Sequence, residues 1–279
     1  MDALQRLDWS PEQVSRFWDY QSANACQESY FAHQVGEAVV RLARYATDLR
    51  GLRVLDFGSG PGHLVPWLLQ AGATVFVADS SPNSVAEVSK RFTSHSGWGG
   101  SYLLSDTKLP VDDDSFDFVF CLETIEHLSR VNCQEVLAEL HRVVRPGGHA
   151  LYTTPNEEKL EDHFVYCPQC NCEFHRMQHM RSWSADQLND ELCSQGYNVH
   201  FCRGLDLWDF QRERRRSRRL SRMVRRLRGN ARKTLDWLWP RPFPHQRVLG
   251  EQTQGRDTPN LVAIASKPQP SSSTLAKAA

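Results

Sequence analysis

Between Ser10 and Leu49 apolar residues recur at helical spacing, through Phe17, Trp18, Val39, Val40, Leu42 and Tyr45. The Ser10-Pro11 pair ahead of them has the order of an N-cap followed by proline in the first turn, so this segment predicts two or three helices. From Arg53 the pattern changes. Short apolar runs, Arg53 to Phe57, Thr74 to Ala78, Ser101 to Leu104, Phe116 to Cys121 and His149 to Thr153, predict strands. Helical stretches separate them around His63 to Leu69, Asn83 to Phe92 and Cys133 to Val144, and Arg145-Pro146-Gly147-Gly148 predicts a break before the fifth strand. This alternation implies an α/β domain whose parallel sheet carries helices on both faces. Beyond Pro155 it is interrupted by a Cys/His-rich stretch, Glu157 to Trp183, and resumes with a capped helix, Ser184 to Ser194, and a strand, Tyr197 to Arg203. A last apolar run, Asn260 to Ser266, follows a second interruption.

The expected organisation is N-terminal helices over residues 1–50, an α/β domain over 51–266 with inserts at 157–183 and 206–257, and a disordered Pro/Ser/Ala tail over 267–279. Charge changes this picture at the second insert. The chain has 279 residues and 33 Lys and Arg against 33 Asp and Glu, a formal charge of zero. Eleven arginines and one lysine stand against one glutamate between Gln211 and Lys233, a local +11 that leaves −11 on the remainder. Leu220, Met223, Val224, Leu227, Ala231, Leu235 and Leu238 recur there at helical spacing, with Trp237 and Trp239 at the end. A basic helix with a narrow apolar stripe suits an anionic membrane surface, here through residues 211–239, more than nucleic acid, and a solvated helix is the plain alternative. No apolar run approaches the ~20 residues of a membrane-spanning helix, and the first residues lack the pattern of a secretory leader, so the expectation is a cytoplasmic protein, peripheral on the inner face of the membrane.

The first strand runs into Asp56-Phe57-Gly58-Ser59-Gly60-Pro61-Gly62. Glycines spaced two apart let the backbone turn sharply and lie against a ligand at the carboxyl end of a strand. A dinucleotide fingerprint needs its third glycine at position 63, which is histidine. The run instead resembles motif I of class I S-adenosylmethionine-dependent methyltransferases, and three further stretches keep that resemblance in order: Asp79 ending the second strand, Leu109-Pro110 before Phe116-Asp117-Phe118-Val119, and Leu140 to Gly148 before the fifth strand. The resemblance implies a doubly wound, Rossmann-like, seven-stranded sheet and S-adenosylmethionine as cofactor. It places Asp56, Gly58, Ser59, Gly60, Gly62, Asp79, Ser80, Asp106 and Leu122 around that cofactor, with Asp79 on the ribose and Asp106 near the adenine. Asp106 stands three residues before Leu109, where the family pattern has four.

Glu123-Thr124-Ile125-Glu126-His127 follows the fourth strand, where the resemblance implies that an acceptor meets the methyl group. A neutral histidine suits removal of a hydroxyl proton, which makes His127 the candidate base and Glu126 and Glu123 its catalytic neighbours. The E-x-x-E-H spacing resembles ubiquinone-biosynthesis O-methyltransferases and also small-RNA 2′-hydroxyl methyltransferases, in which the acids and histidine bind a divalent cation. If helical, Glu123, Glu126 and His127 share one face and a metal is geometrically feasible. Cys167, Cys170, His175 and His179 form C-x2-C-x4-H-x3-H, a set suited to a structural zinc, with Cys172 a competing sulfur. The stretch on to Trp183 resembles an insert of bacterial polysaccharide-cluster methyltransferases. The sequence therefore points to methyl transfer onto a hydroxyl of a small-molecule, glycan or lipid-linked acceptor. The rivals are an RNA 2′-O-methyltransferase and a non-catalytic, membrane-docking scaffold.

Overall fold

A computed structural model describes residues 5–24, 27–212 and 258–269. Its centre is a seven-stranded sheet built from β2 (Arg53–Phe57), β3 (Thr74–Asp79), β4 (Trp98–Leu103), β5 (Phe116–Leu122), β6 (Val144–Pro155), β9 (Asn198–Leu205) and β10 (Asn260–Ser266). The strand order is β4-β3-β2-β5-β6-β10-β9, and β10 runs antiparallel to both of its neighbours. The other pairings are parallel.

Alternate residues of each strand enter one of two cores. Val54, Val77, Phe118, Phe120 and Ile264 face α2 (Phe31–Ala43) and α3 (Val65–Gln70), while Leu55, Val119, Cys121, Tyr152 and Ala263 face α5 (Arg130–Val143) and α6 (Ala185–Ser194). Burial on both faces explains why these strands read as nearly continuous apolar runs, as parallel sheets do. α1 (Pro11–Asn24) and α4 (Pro82–Phe92) complete the helices.

Three local readings change. The third strand begins three residues earlier than its apolar run, at Trp98, because Gly99 lies flat on Phe76, where an added Cβ would come within 2.4 Å of the ring. The Arg145-Pro146-Gly147-Gly148 turn is carried within β6, with a register shift against β5 and Gly147 at φ +75°. Lys267, expected in a disordered tail, is tied down: its amide donates to Gly148 and its ammonium meets Asp114 at 2.7 Å.

The Cys/His-rich insert folds as a hairpin, β7 (Phe164–Cys167) and β8 (Cys172–His175), with β1 (Gln5–Arg6) added parallel to β8. Two polar residues carry no periodicity, so β1 had no signal in the sequence. Residues 207–212 are helical, with Asp206 accepting the Asp209 amide. The basic helix expected over 211–239 lies outside the described residues from position 213 onward, as does the tail from position 270.

Candidate functional site

The order of strands reverses between β2 and β5, and at such a point the loops beyond the carboxyl ends leave a crevice. Phe57 pairs with Cys121 across these two strands, so the glycine loop after β2 and the acid-histidine loop after β5 start side by side. Gly58, Gly60 and Gly62 have φ of +70°, +49° and +72°, backbone that disfavours side chains. Their surroundings differ. A Cβ on Gly58 would lie 2.4 Å from Thr124 Oγ1, and one on Gly62 2.7 Å from Val88, whereas at Gly60 the nearest atom is Tyr30 Cε1 at 3.8 Å. Gly58 therefore lets the two loops touch, and Gly60 presents bare backbone to the crevice.

Asp79 at the end of β3 accepts the Gly60 amide at 2.8 Å on one oxygen and the Ser81 amide at 2.9 Å on the other. Burial pushes its carboxyl up, while the amide hydrogen bonds pull it down without cancelling the rise. Asp56 is buried, with its pKa raised to about 7 by desolvation and then by Asp79. Asp56 Oδ2 and Ser59 Oγ are buried without a hydrogen-bond partner among the described residues. Unfilled acceptors beside open backbone at Gly60 fit a polar cofactor with donor groups. Leu122 is buried at the end of β5, and Ser80 is exposed beside Asp79. Asp106 is exposed, and its Oδ1 accepts the Lys108 amide at 2.8 Å, a local turn rather than a crevice wall.

The loop after β5 is not the helix that the E-x-x-E-H spacing suggested. Glu123 has φ +46°, and only Ile125–His127 form a short 3-10 turn, so Glu123, Glu126 and His127 do not share a helical face. They still gather. Glu126 is 1% exposed, accepts from Thr154 Oγ1 at 3.1 Å and has its other oxygen 3.9 Å from His127 Nε2. The Glu123 amide donates to the Thr153 carbonyl at 2.9 Å. Glu123 Oε1, Glu126 Oε1 and His127 Nδ1 are buried without a hydrogen-bond partner among the described residues. Burial lifts Glu123 to about 7, and burial with Glu123 nearby lifts Glu126 well above the carboxylate range. Burial and His179 depress His127 to about 3, so its imidazole is neutral at neutral pH.

Five further residues complete the cluster, and of these only the two histidines, His175 and His179, had been singled out as ligands. The His127 ring meets Trp18 of α1 at 4.6 Å and His179 at 4.8 Å. Gln178 is fully buried, donates to the His127 carbonyl at 2.9 Å and accepts from Trp18 Nε1 at 2.9 Å. Glu158, just past β6, lies 2.5 Å from His179 Nδ1 and 3.3 Å from His175 Nε2. Burial alone would raise Glu158, but its histidine neighbours outweigh that and hold it below the ordinary value. Glu158 and Gln178 sit in irregular stretches without periodicity. Nothing in the sequence marked them.

The predicted zinc set is divided by the hairpin. Cys167 pairs with Cys172 at the turn end, whereas His175 pairs with Phe164 at the base, three residues away or roughly 10 Å along a strand. The groups whose ligand atoms lie within 4.8 Å of one another, among the described residues, are Glu126 with His127 and His179, and Glu158 with His175 and His179. Neither contains a cysteine. His175 and His179 thus belong to the buried acid-histidine cluster, and Cys167 and Cys170 to the exposed turn.

Seven strands in this order, with the one reversed strand, β10, between β6 and the edge strand β9, and a glycine turn beyond β2, define the class I fold of S-adenosylmethionine-dependent methyltransferases. Within that class the chain belongs to the family described as "Methyltransferase domain", whose model matches residues 27–200. Ubiquinone biosynthesis O-methyltransferases of Agrobacterium fabrum and Brucella melitensis biotype 2 are each 30% identical over 149 residues, 53% of this chain and 58% of theirs. The chain thus spans a little over half the length of the curated relatives it matches. Among solved structures, 1,6-didemethyltoxoflavin-N1-methyltransferase of Burkholderia thailandensis, with bound S-adenosylhomocysteine, is 16% identical with a TM-score of 0.55, covering 96% of this chain and 94% of that one. The [4+2]-cyclase SpnF is 15% identical with a TM-score of 0.60, covering 95% and 100%. At these identities the likeness establishes the fold, and a cyclase on the same fold shows that the site must carry the functional argument.

Proposed function

We propose that the chain transfers the methyl group of S-adenosylmethionine to a hydroxyl of a small-molecule, glycan or lipid-linked acceptor. The observation that carries this reading is the cluster of Glu126, His127 and His179, with Glu123 next to Glu126, beside the glycine loop and joined to it by the Gly58 and Thr124 contact. The names of the aligned ubiquinone O-methyltransferases support the same class of acceptor.

In this reading Gly58, Gly60 and Gly62 shape the cofactor cradle, and Asp56 and Ser59 supply the unfilled polar atoms to it. Asp79 fixes the Gly60 backbone and keeps lone pairs for ribose hydroxyls, next to Ser80. Leu122 forms an apolar wall, and Asp106 stands at the rim. The bound cofactor supplies an activated methyl on a sulfonium. What remains for the protein is alignment, exclusion of water and removal of a proton. α1 lies across the opening, with Trp18 on His127 and Asp19 accepting from Ser81 Oγ at 3.0 Å. An imidazole of the cluster takes up the hydroxyl proton, and His127 helps to wall the acceptor. The segment 211–239 would hold the domain against anionic lipid, a reading supported by its charge and apolar stripe alone.

Calorimetry with S-adenosylmethionine, followed by a labelled-methyl screen of phenolic, glycan and lipid-linked acceptors, tests the core. Micromolar binding and labelled methyl ether are expected. No binding, or label appearing only on nitrogen or carbon acceptors, would overturn the reading. Flotation on anionic vesicles, with and without residues 211–239, tests the surface: equal flotation of both removes it.

A further inference from the structure

Resting on the methyl-transfer reading, we infer that the proton acceptor within the cluster is His179, held in its working tautomer by Glu158. Glu158 is ringed by imidazoles: His179 Nδ1 lies 2.5 Å from Oε2, while His175 Nε2 and His163 Nε2 lie 3.3 and 3.7 Å from Oε1. His175 settles which way the protons point. Its Nδ1 accepts the amides of Met177 at 3.2 Å and His179 at 3.1 Å, so the proton of a neutral ring sits on Nε2. A carboxylate among these groups accepts hydrogen bonds and gives none, so His179 Nδ1 is the donor at Oε2. A neutral His179 ring with this hydrogen bond carries its lone pair on Nε2.

The ring itself is fixed on two sides. His175 stacks on it at 4.3 Å and 17°, and His127 meets it edge-on at 4.8 Å. Fixing the tautomer through the far nitrogen is how a carboxylate prepares an imidazole to take a proton. His127 lacks this arrangement. Its Nδ1 is buried without a partner among the described residues, and its Nε2 is 3.9 Å from the nearest Glu126 oxygen, so no carboxylate within hydrogen-bond distance fixes its tautomer.

The step balances without a further reagent. The acceptor oxygen bonds to the methyl carbon as the carbon-sulfur bond breaks and leaves its electron pair on sulfur. The hydroxyl proton passes to His179 Nε2, and the resulting imidazolium keeps its Nδ1 proton on Glu158. Glu158 is thus a positioning residue, and His179 the catalytic one.

Two measurements on the full chain decide this. In nitrogen-detected histidine NMR of the S-adenosylmethionine complex, His179, assigned by its loss in His179→Gln, should be the Nδ1-H tautomer with a strongly deshielded proton. Glu158→Gln should abolish that signature and Glu158→Asp should restore it in part. An Nε2-H tautomer, or one unchanged in Glu158→Gln, overturns the assignment. With catechol as hydroxyl probe, His179→Gln should lower kcat by about 100-fold or more, with cofactor affinity within about threefold of wild type. Turnover that survives in His179→Gln but is lost in His127→Gln also overturns it. Where the wild type binds the cofactor but is silent on catechol, the hydroxyl acceptor found in the labelled-methyl screen replaces it, label on nitrogen or carbon alone overturns the methyl-transfer reading, and the NMR result decides the tautomer separately.

Discussion

Asp79 Oδ2 accepts the Gly60 amide at 2.8 Å, so the end of β3 holds the turn after β2 in place before any ligand arrives. Asp79→Ala removes this bond and the one to Ser81 together. A charge-assisted hydrogen bond contributes about 1.5–3 kcal/mol, and losing one in the bound complex corresponds to roughly a 10- to 100-fold loss of affinity. Calorimetry with S-adenosylmethionine should show it, with Asp79→Asn retaining part of the binding. Wild-type affinity in both variants would dismiss Asp79 from the cradle.

The three glycines predict different failures. In Gly58→Ala the new methyl group drives into Thr124 at a φ of +70°, and overpacking with backbone strain costs about 2–4 kcal/mol. Adding Thr124→Ala removes the nearest atom and should return part of that stability in urea unfolding. Gly60→Ala meets open space, so its cost to folding is only the left-handed strain, about 1–2 kcal/mol. Its larger effect should be lost cofactor binding. If Gly60→Ala bound normally, the cofactor would not lie against this backbone.

The fold was legible because both faces of the sheet are buried. Val54, Leu55, Val75, Phe76, Phe118, Val119 and Phe120 form apolar runs with no competing periodicity, and glycines mark where β2 ends. The site was legible only where chemistry coincides with such an element, as at Asp56, Asp79 and the loop after β5. Glu158 and Gln178 are brought in by turns at Glu157, φ +49°, and Gln178, φ +59°, neither of which is glycine. The expected zinc set is not gathered in the structure for a related reason. Sequence spacing assumed a compact turn and helix, whereas a hairpin sends Cys167 and His175 to opposite ends of its strands.

Asp56 makes stability depend on pH. Its folded pKa of about 7 stands above the ordinary carboxylate value because burial disfavours the ion. Between roughly pH 4 and 7 the folded protein holds a proton that the unfolded chain releases, so this contribution is fully present below pH 4 and lost as pH rises through 7. The span corresponds to on the order of 4 kcal/mol. In the ligand-free protein, Asp56→Asn should be more stable than wild type at pH 8 and lose that advantage toward pH 4. Urea unfolding at the two pH values checks it. A constant difference between the proteins would show that Asp56 ionises freely.

Gln178 ties the N-terminal helix to the loop after β5. Its amide oxygen accepts Trp18 Nε1-H at 2.9 Å on one side and its amide nitrogen donates to the His127 carbonyl at 2.9 Å on the other, from a side chain that is itself fully buried. Trp18→Phe keeps an aromatic ring against His127 but leaves Gln178 Oε1 without its donor, a loss of about 1–3 kcal/mol. The stability removed is local, since α1 meets the body through α4, the Ser81–Asp19 hydrogen bond and the Trp18–His127 ring contact as well as this bond. Segments of this kind open independently of the whole fold, so global unfolding should move less than the exchange of α1 amides. If α1 closes the cofactor crevice, easier opening also speeds release. Trp18→Phe should therefore raise the dissociation rate of S-adenosylmethionine by about tenfold, and stopped-flow displacement would measure it. An unchanged rate alongside faster α1 exchange would separate the helix from the cofactor path and leave Gln178 a structural tie alone.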